Sequence, residues 1–507
     1  MSLNKKFYIT SAIAYANSLP HMGHAMEFIL TDSIARYKRM MDFDTFFLIG
    51  TDEHGVKIYN TALKNNLKPQ ELVDKNSNLF RNLKDVLSLS NDDFIQTTDK
   101  DRHWPAVQKM WNLLLDNDDI YQKEYEGLYC EGCEAFMKEK DLVDGKCPVH
   151  KKELSLVKEF NYFFKLSKYS DKIVDLIESG EVKIIPDFRK NEFLNIAKEG
   201  LHDISFSRSR SALPWGIDVP NDKDQVMYVW CDALTNYISA IGFDKETEQF
   251  KKYWPADMHV IGKDIVRFHA GIWLGMLLSA KLPLPKSILI HGFVTHNGEK
   301  MSKTIGNVID PVKVVEEYGS DSLRHYLLRE IPLGKDGDYN DKLFIERYNA
   351  HLANNLGNLV NRVYTLVSRN EINNFTFDKN SLIYKKKVDE IWKKYILNMD
   401  NSDIHEAILT TWELIDFANK AMEEYKPWAL IKDNKEEGIA LLCNLLEVLR
   451  HISILISPFI PLSSEKIRNI IGLSKEIDIK NENGWGLAKN WTTLGEQEIL
   501  FPRIESD

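Results

Sequence analysis

Apolar positions recur along this chain with two different periods, and the change from one to the other divides it. Short apolar runs come first, each followed by a segment whose apolar residues return every three or four positions, the signature of strand then helix. The run Phe7-Tyr8-Ile9-Thr10-Ser11-Ala12-Ile13-Ala14-Tyr15 reads as a buried strand. Residues 25–40, with Phe28, Ile29, Ile34, Ala35 and Tyr37 among polar neighbours, read as the helix after it. Residues 44–49 predict a second strand, and 69–87 and 101–117 two more helices. Strand-like runs resume around Met227–Leu234, 258–265 and 287–294. From about residue 344 only the helical period remains: Leu352, Leu356, Leu359, Val363 and Leu366 fall on one face, Asn354, Asn358, Asn361, Arg362, Thr365 and Arg369 on the other. Ile404–Tyr425 and 439–456 continue as long amphipathic helices, with Pro427 in Lys426-Pro427-Trp428 ending the first. The pattern predicts a doubly wound α/β domain in two halves, 1–117 and 225–343, split by an insertion at 118–224 and followed by an all-α bundle at 344–507.

Composition narrows the setting. The net charge of −10 does not advertise nucleic-acid binding, yet phosphate contacts need only a local basic face. No apolar stretch approaches the ~20 residues of a membrane span, and Met1-Ser2-Leu3-Asn4-Lys5-Lys6 carries no signal-peptide pattern. The expectation is a cytoplasmic protein without membrane contact. Five cysteines in 507 residues exclude a disulfide scaffold.

Chemistry collects at the ends of the predicted strands. His21-Met22-Gly23-His24 stands at a helix entrance, where amides and dipole favour anionic oxygens, Gly23 admits a ligand to the backbone and two imidazoles can donate. Lys300-Met301-Ser302-Lys303-Thr304, after the last strand-like run, places two lysines on a short loop suited to a polyphosphate. Asp52, in Gly50-Thr51-Asp52-Glu53-His54-Gly55, is placed to meet a cation or to cap the next helix. Gly262 and Asp264 end another strand, where a carboxylate can bind ribose hydroxyls. Ile265, Phe268, His269 and Trp273 share a helical face and, with Trp230 and Tyr237, form an aromatic set that suits either core packing or an apolar pocket. Cys130-Glu131-Gly132-Cys133 and Cys147-Pro148-Val149-His150 supply two paired-donor turns, the spacing of a closed tetrahedral Cys₃His zinc site with a structural role.

The histidine turn paired with the lysine loop resembles the class I aminoacyl-tRNA synthetases. The single zinc knuckle, Gly50–Gly55, Tyr228-Val229-Trp230-Cys231-Asp232-Ala233, Gly262-Lys263-Asp264-Ile265-Val266-Arg267-Phe268-His269 and Lys426-Pro427-Trp428 are together similar to the methionyl-tRNA synthetase family over nearly the whole length. That resemblance implies a Rossmann-like catalytic domain and an anticodon-binding bundle, acting on methionine, ATP with Mg2+, and tRNA(Met). It implies His21, Gly23, His24, Gly262, Asp264, Val294 and Lys303 around ATP, with His21, His24, Lys300 and Lys303 catalytic. Ile13, Tyr15, Asp52, Trp230, Ala233, Leu234, Tyr237, Ile265, Phe268, His269 and Trp273 would line the methionine site, Asp52 on the ammonium and Arg208 buttressing it. Asn358, Asn361, Arg362, Arg369 and Trp428 would read the anticodon, and Cys130, Cys133, Cys147 and His150 would hold zinc. Met22, Thr304 and Thr365 depart from commoner family residues. With no dimerisation domain after the bundle, a monomer without an obligate protein partner is expected. A nucleotidyltransferase shares the H-x-G-H turn but needs neither zinc insertion nor bundle. A non-catalytic tRNA-binding relative would not need every active-site position filled.

Overall fold

Seven parallel strands form the centre of the molecule: β1 (Lys6–Ser11), β2 (Ala14–Tyr15), β3 (Asp44–Asp52), β4 (Asp93–Gln96), β5 (Lys183–Ile185), β6 (Met258–Gly262) and β7 (Ser287–His291). The computed structural model describes residues 5–130, 135–137, 141–148, 151–301, 306–372, 381–487 and 493–505. The sheet order is β2-β3-β1-β6-β7-β5, with β4 also beside β3. The chain winds outward from β1 through β3 and β4, then returns to the other side of β1 with β6. Strand order therefore reverses between β1 and β6, and their carboxyl ends open the crevice in which such sheets bind ligands.

The expected α/β core and terminal helix bundle are both present. Helices cover Met22–Met40, Pro69–Val86 and His103–Asp116 in the first half, and Asn358–Arg369, Ser381–Asp400, Ile404–Tyr425, Lys435–Ile456 and Pro461–Ile470 in the bundle. The insertion is an antiparallel sheet built on a long hairpin, Ile120–Cys130 against Ser155–Phe164, paired from Ile120–Phe164 to Tyr129–Ser155. The segment 118–224 is not wholly separate, however, because it returns β5 to the main sheet beside β7. A strand of three residues is too short to show a period in sequence, and Ile184 is buried by its neighbours rather than by its own pattern.

Lys435–Ile456 corrects the expectation that no stretch approaches a membrane-spanning length. Its apolar window has a mean hydropathy of 1.9, but 94% of that window is buried inside the bundle. A helix apolar all round is also what the centre of a large helical core requires.

Met22–Met40 is shared by both halves of the molecule. Met26 and Ile29 belong to one continuous core with Leu323, Leu356, Ile408 and Leu445. Asp32, on the same helix, receives Arg36 and Arg324 at 2.7 Å each. Arg324 is fully buried and also donates to the carbonyls of Leu87, Pro458 and Phe459, tying the sheet to the bundle. Farther along, Tyr37 and Lys38 both donate to Asp400 of the bundle.

Candidate active site

The helix Met22–Met40 begins with a cap made of two histidines. His21 is the extended N-cap residue, its Nδ1 accepts from Gly23 N at 3.1 Å, and His24 Nδ1 accepts from His21 N at 3.1 Å. A backbone amide can only donate, so both Nδ1 atoms are acceptors and each neutral ring carries its proton on Nε2. The rings stack at 3.8 Å, and a Cβ on Gly23 would come within 3.0 Å of the His21 ring, so glycine is what lets that ring lie over the helix entrance.

A second group of polar residues collects at the ends of β6 and β7. A Cβ on Gly262 would approach Asp264 Oδ1 to 2.9 Å and the His291 ring to 3.7 Å, which places these three positions together. His291 Nδ1 donates to Gly292 O and its Nε2 meets Glu27 Oε2 at 2.9 Å. Burial alone would lower the imidazole, but Glu27 overcomes it and raises His291. Glu27 and His291 were not found from sequence, because neither lies in a recognisable spacing and their partnership crosses 264 residues.

Val294 is buried in the strand Val294–His296, and Lys300 belongs to the paired strand Glu299–Lys300. Lys300 Nζ lies 4.5 Å from the Phe293 ring centroid and Lys263 Nζ 4.4 Å from the same ring. Lys303 lies outside the described residues, as do Cys133 and His150. Cys130 closes its strand and Cys147 sits in a turn closed by Lys151 N on Cys147 O; both are buried and neither forms a disulfide. Buried reduced thiols in one small hairpin unit fit two positions of a tetrahedral zinc shell.

Across the switch point the expected pocket residues converge. Ile13, at the end of the first strand, packs with Trp230 and Ala233. Trp230 stacks on Phe268 at 3.6 Å with planes 10° apart. Asp52, 6% exposed, ends β3 directly beside Tyr15 of β2. Arg208 forms two hydrogen bonds to Glu159, at 2.8 and 2.9 Å. Leu234, Tyr237 and Trp273 lie in the core beneath.

The aromatic face was expected on an α-helix, but Arg267–Trp273 is a π-helix. His269 Nδ1 donates to Ile265 O at 3.0 Å, taking a carbonyl that an α-helix would offer to a backbone amide. With Nδ1 protonated, the neutral ring accepts at Nε2 from the Tyr237 hydroxyl at 2.7 Å. Burial lowers the His269 pKa to about 4, so the ring is neutral near pH 7. A second buried chain lies behind it: Trp273 Nε1 donates to His259 Nε2, and His259 Nδ1 meets Thr10 Oγ1 at 2.8 Å. His259 too was missed, being one polar residue inside an apolar run.

Asp232, fully buried, receives His54 Nδ1 at 2.6 Å and His103 Nε2 at 2.7 Å. Burial would raise this carboxyl, but the two imidazoles more than offset it and hold it below the usual carboxylate range.

At the bundle, Asn358, Asn361 and Arg369 are exposed on Asn358–Arg369. Arg362 pairs with Glu423 at 2.6 Å and its guanidinium lies 5.3 Å from the Trp428 ring, which is 39% exposed. Gln497, unmarked in the sequence reading, donates to Asn361 Oδ1.

Comparison with known proteins bears on the family and the fold. The family model "tRNA synthetases class I (M)" matches residues 7–158 and 140–364, and "Anticodon binding domain of methionyl tRNA ligase" matches 376–506. The chain is 43% identical to the methionine–tRNA ligase of Brucella suis, with 99% of each chain covered. It is 42% identical to that of Caldanaerobacter subterraneus over 99% of this chain and 80% of the relative. Mycobacterium tuberculosis methionyl-tRNA synthetase in complex with methionyl-adenylate superposes with a TM-score of 0.93 at 38% identity, covering 98% of this chain and all of that one. The chain belongs to the methionyl-tRNA synthetases, within class I of the aminoacyl-tRNA synthetases.

Proposed function

We infer that this protein is an ATP-dependent methionine–tRNA ligase, which activates methionine as methionyl-adenylate and transfers it to the 3′ end of tRNA(Met). The observation that carries the reading is full-length family membership, supported by the two histidines that cap a helix entrance, by Asp52 at the end of β3, and by the apolar packing of Ile13 and Trp230 with Ala233. Methionine carboxylate attacks the ATP α-phosphorus and pyrophosphate leaves; a terminal tRNA hydroxyl then attacks the acyl carbon and AMP leaves. Catalysis is by positioning and charge stabilisation. His21 and His24 present Nε2–H donors to the phosphates, joined by Lys300 and Lys303, and Mg2+ accompanies ATP as part of the substrate. Gly262, Asp264 and the Glu27–His291 pair form the nucleoside side, with Val294 beside them. Asp52 takes the ammonium. The side chain lies against Ile13, Tyr15, Trp230, Ala233, Leu234, Ile265 and Phe268, with Tyr237, His269 and Trp273 at its end. A neutral His269 fixed by Tyr237 suits a thioether better than a charged side chain.

Asn358, Asn361, Arg362 and Arg369 would hydrogen-bond unpaired anticodon bases and Trp428 would stack one. Cys130, Cys133, Cys147 and His150 would hold a structural zinc that organises the insertion. We place the protein in the cytoplasm with translation. Amino-acid-dependent ATP–pyrophosphate exchange across all twenty amino acids tests the function: methionine alone supports exchange, and activity with another amino acid in its place refutes it. Metal analysis of the purified protein is expected to find one zinc per chain, lost on mutation of Cys130 or Cys147 to serine.

A further inference from the structure

The buried carboxylate of Asp232 takes no part in the steps above, yet it ties two segments read as the amino-acid site, the end of β3 and the helix Val229–Leu234, to each other and to the helix His103–Asp116. His54 follows Asp52 by two residues, and its backbone N–H points to Asp52 Oδ1 at 3.4 Å. His103 is the first residue of the helix His103–Asp116. Asp232 sits in the helix Val229–Leu234, between Trp230 and the pair Ala233 and Leu234. A carboxylate held ionised can only accept, so both imidazoles donate to it, one to each oxygen. His103 is braced in turn, its Nδ1 meeting Ser239 Oγ at 2.8 Å.

One charge thus fixes the spacing between the ammonium-binding end of β3 and the apolar wall, across 178 residues of chain. A paired charge at 0% exposure has no water to fall back on, so any movement of that wall relative to Asp52 breaks a charge-assisted hydrogen bond in a dry environment. The His54 ring packs against Trp215, with centroids 5.4 Å apart, and its buried Nε2 has no hydrogen-bond partner among the described residues. The bond to Asp232 is therefore the polar contact that holds that ring among the described residues.

We propose that Asp232 is a positioning residue for amino-acid binding, setting the distance between Asp52 and the Trp230–Leu234 wall through His54 and His103. The proposal rests on the reading of those residues as the methionine site. It predicts a selective defect, because none of the residues read as the ATP site lies on the segments that Asp232 joins. In methionine-dependent ATP–pyrophosphate exchange with the full chain, Asp232→Asn, which keeps the shape and removes the charge, is expected to raise the methionine KM about tenfold or more. The ATP KM should stay within about twofold and kcat should change less than the methionine KM, the pattern of lost ground-state binding. A residue that only held the fold together would lower Tm and the active fraction and leave the methionine KM in place. His103→Gln removes the imidazole remote from substrate, leaves His54 intact, and should raise the methionine KM about threefold or more. It decides the matter if Asp232→Asn does not fold. An unchanged methionine KM in the folded variants, or equal rises for methionine and ATP, overturns the proposal. Asp52→Asn run alongside separates the two readings: if it leaves the methionine KM unchanged, the site assignment itself fails, whereas a rise with Asp52→Asn alone overturns only the clamp.

Discussion

His269 and Tyr237 show how a single hydrogen bond settles the chemical character of a site. The carbonyl of Ile265 takes the Nδ1 proton, so Nε2 is left as an acceptor and the Tyr237 hydroxyl must donate to it. The ring is thereby neutral and its orientation fixed. Tyr237→Phe removes the donor and leaves a buried acceptor without its partner, at a cost of ~1–3 kcal/mol. Urea unfolding should show that loss, and the methionine KM should rise with it, since the ring would then be held only through Nδ1 on Ile265 O. An unchanged denaturation midpoint would mean that another donor replaces the hydroxyl.

At the level of elements, Met22–Met40 does two jobs with one helix. Its first turn carries the histidine cap, and its middle and end are bound to the bundle through Asp32, Tyr37 and Lys38. The fully buried Asp32 is held below the usual carboxylate range: burial would raise it, and Arg324 with Arg36 and Ser90 more than offset that. Arg324→Met leaves this carboxylate without its buried partner and strands three backbone carbonyls, so a loss of ~3–5 kcal/mol is expected in chemical denaturation.

Over the whole molecule, buried neutral histidines make the fold acid-sensitive. Burial brings His269 to about 4, and His259 and His325 are also depressed by burial, then by neighbouring cationic or imidazole groups. The unfolded chain takes up these protons near pH 6.5 and the folded chain only at lower pH, near 4 for His269, so within that window the unfolded state binds more protons. Stability therefore falls as pH drops from about 6.5 towards 4, by on the order of 3 kcal/mol for His269 alone. His291, raised by Glu27, acts in the opposite sense, its contribution being present at low pH and lost as pH rises through its folded value. Thermal melts from pH 7.5 to 4.5 should show a steady fall in Tm, and a flat profile would contradict the burial of these rings.

The sequence by itself determined the periodic elements and the local motifs. Ile404–Tyr425 ends where Pro427 demands, with Lys426 in the left-handed region, because a proline ring excludes the preceding turn whatever the tertiary setting. The histidine cap was legible for the same reason: a cap and its helix are contiguous, so local chemistry specifies both. Tertiary structure alone decided the rest. The three residues of β5 have no period of their own, the π-turn at His269 depends on a side chain reaching its own backbone, and the core position of Lys435–Ile456 is set by the helices around it. Asp232 with His54 and His103, Glu27 with His291, and Asp32 with Arg324 are partnerships between residues 129 to 292 positions apart. No spacing rule links such residues, because what brings them together is the order of strands in the sheet and the desolvation that makes each buried charge require a partner.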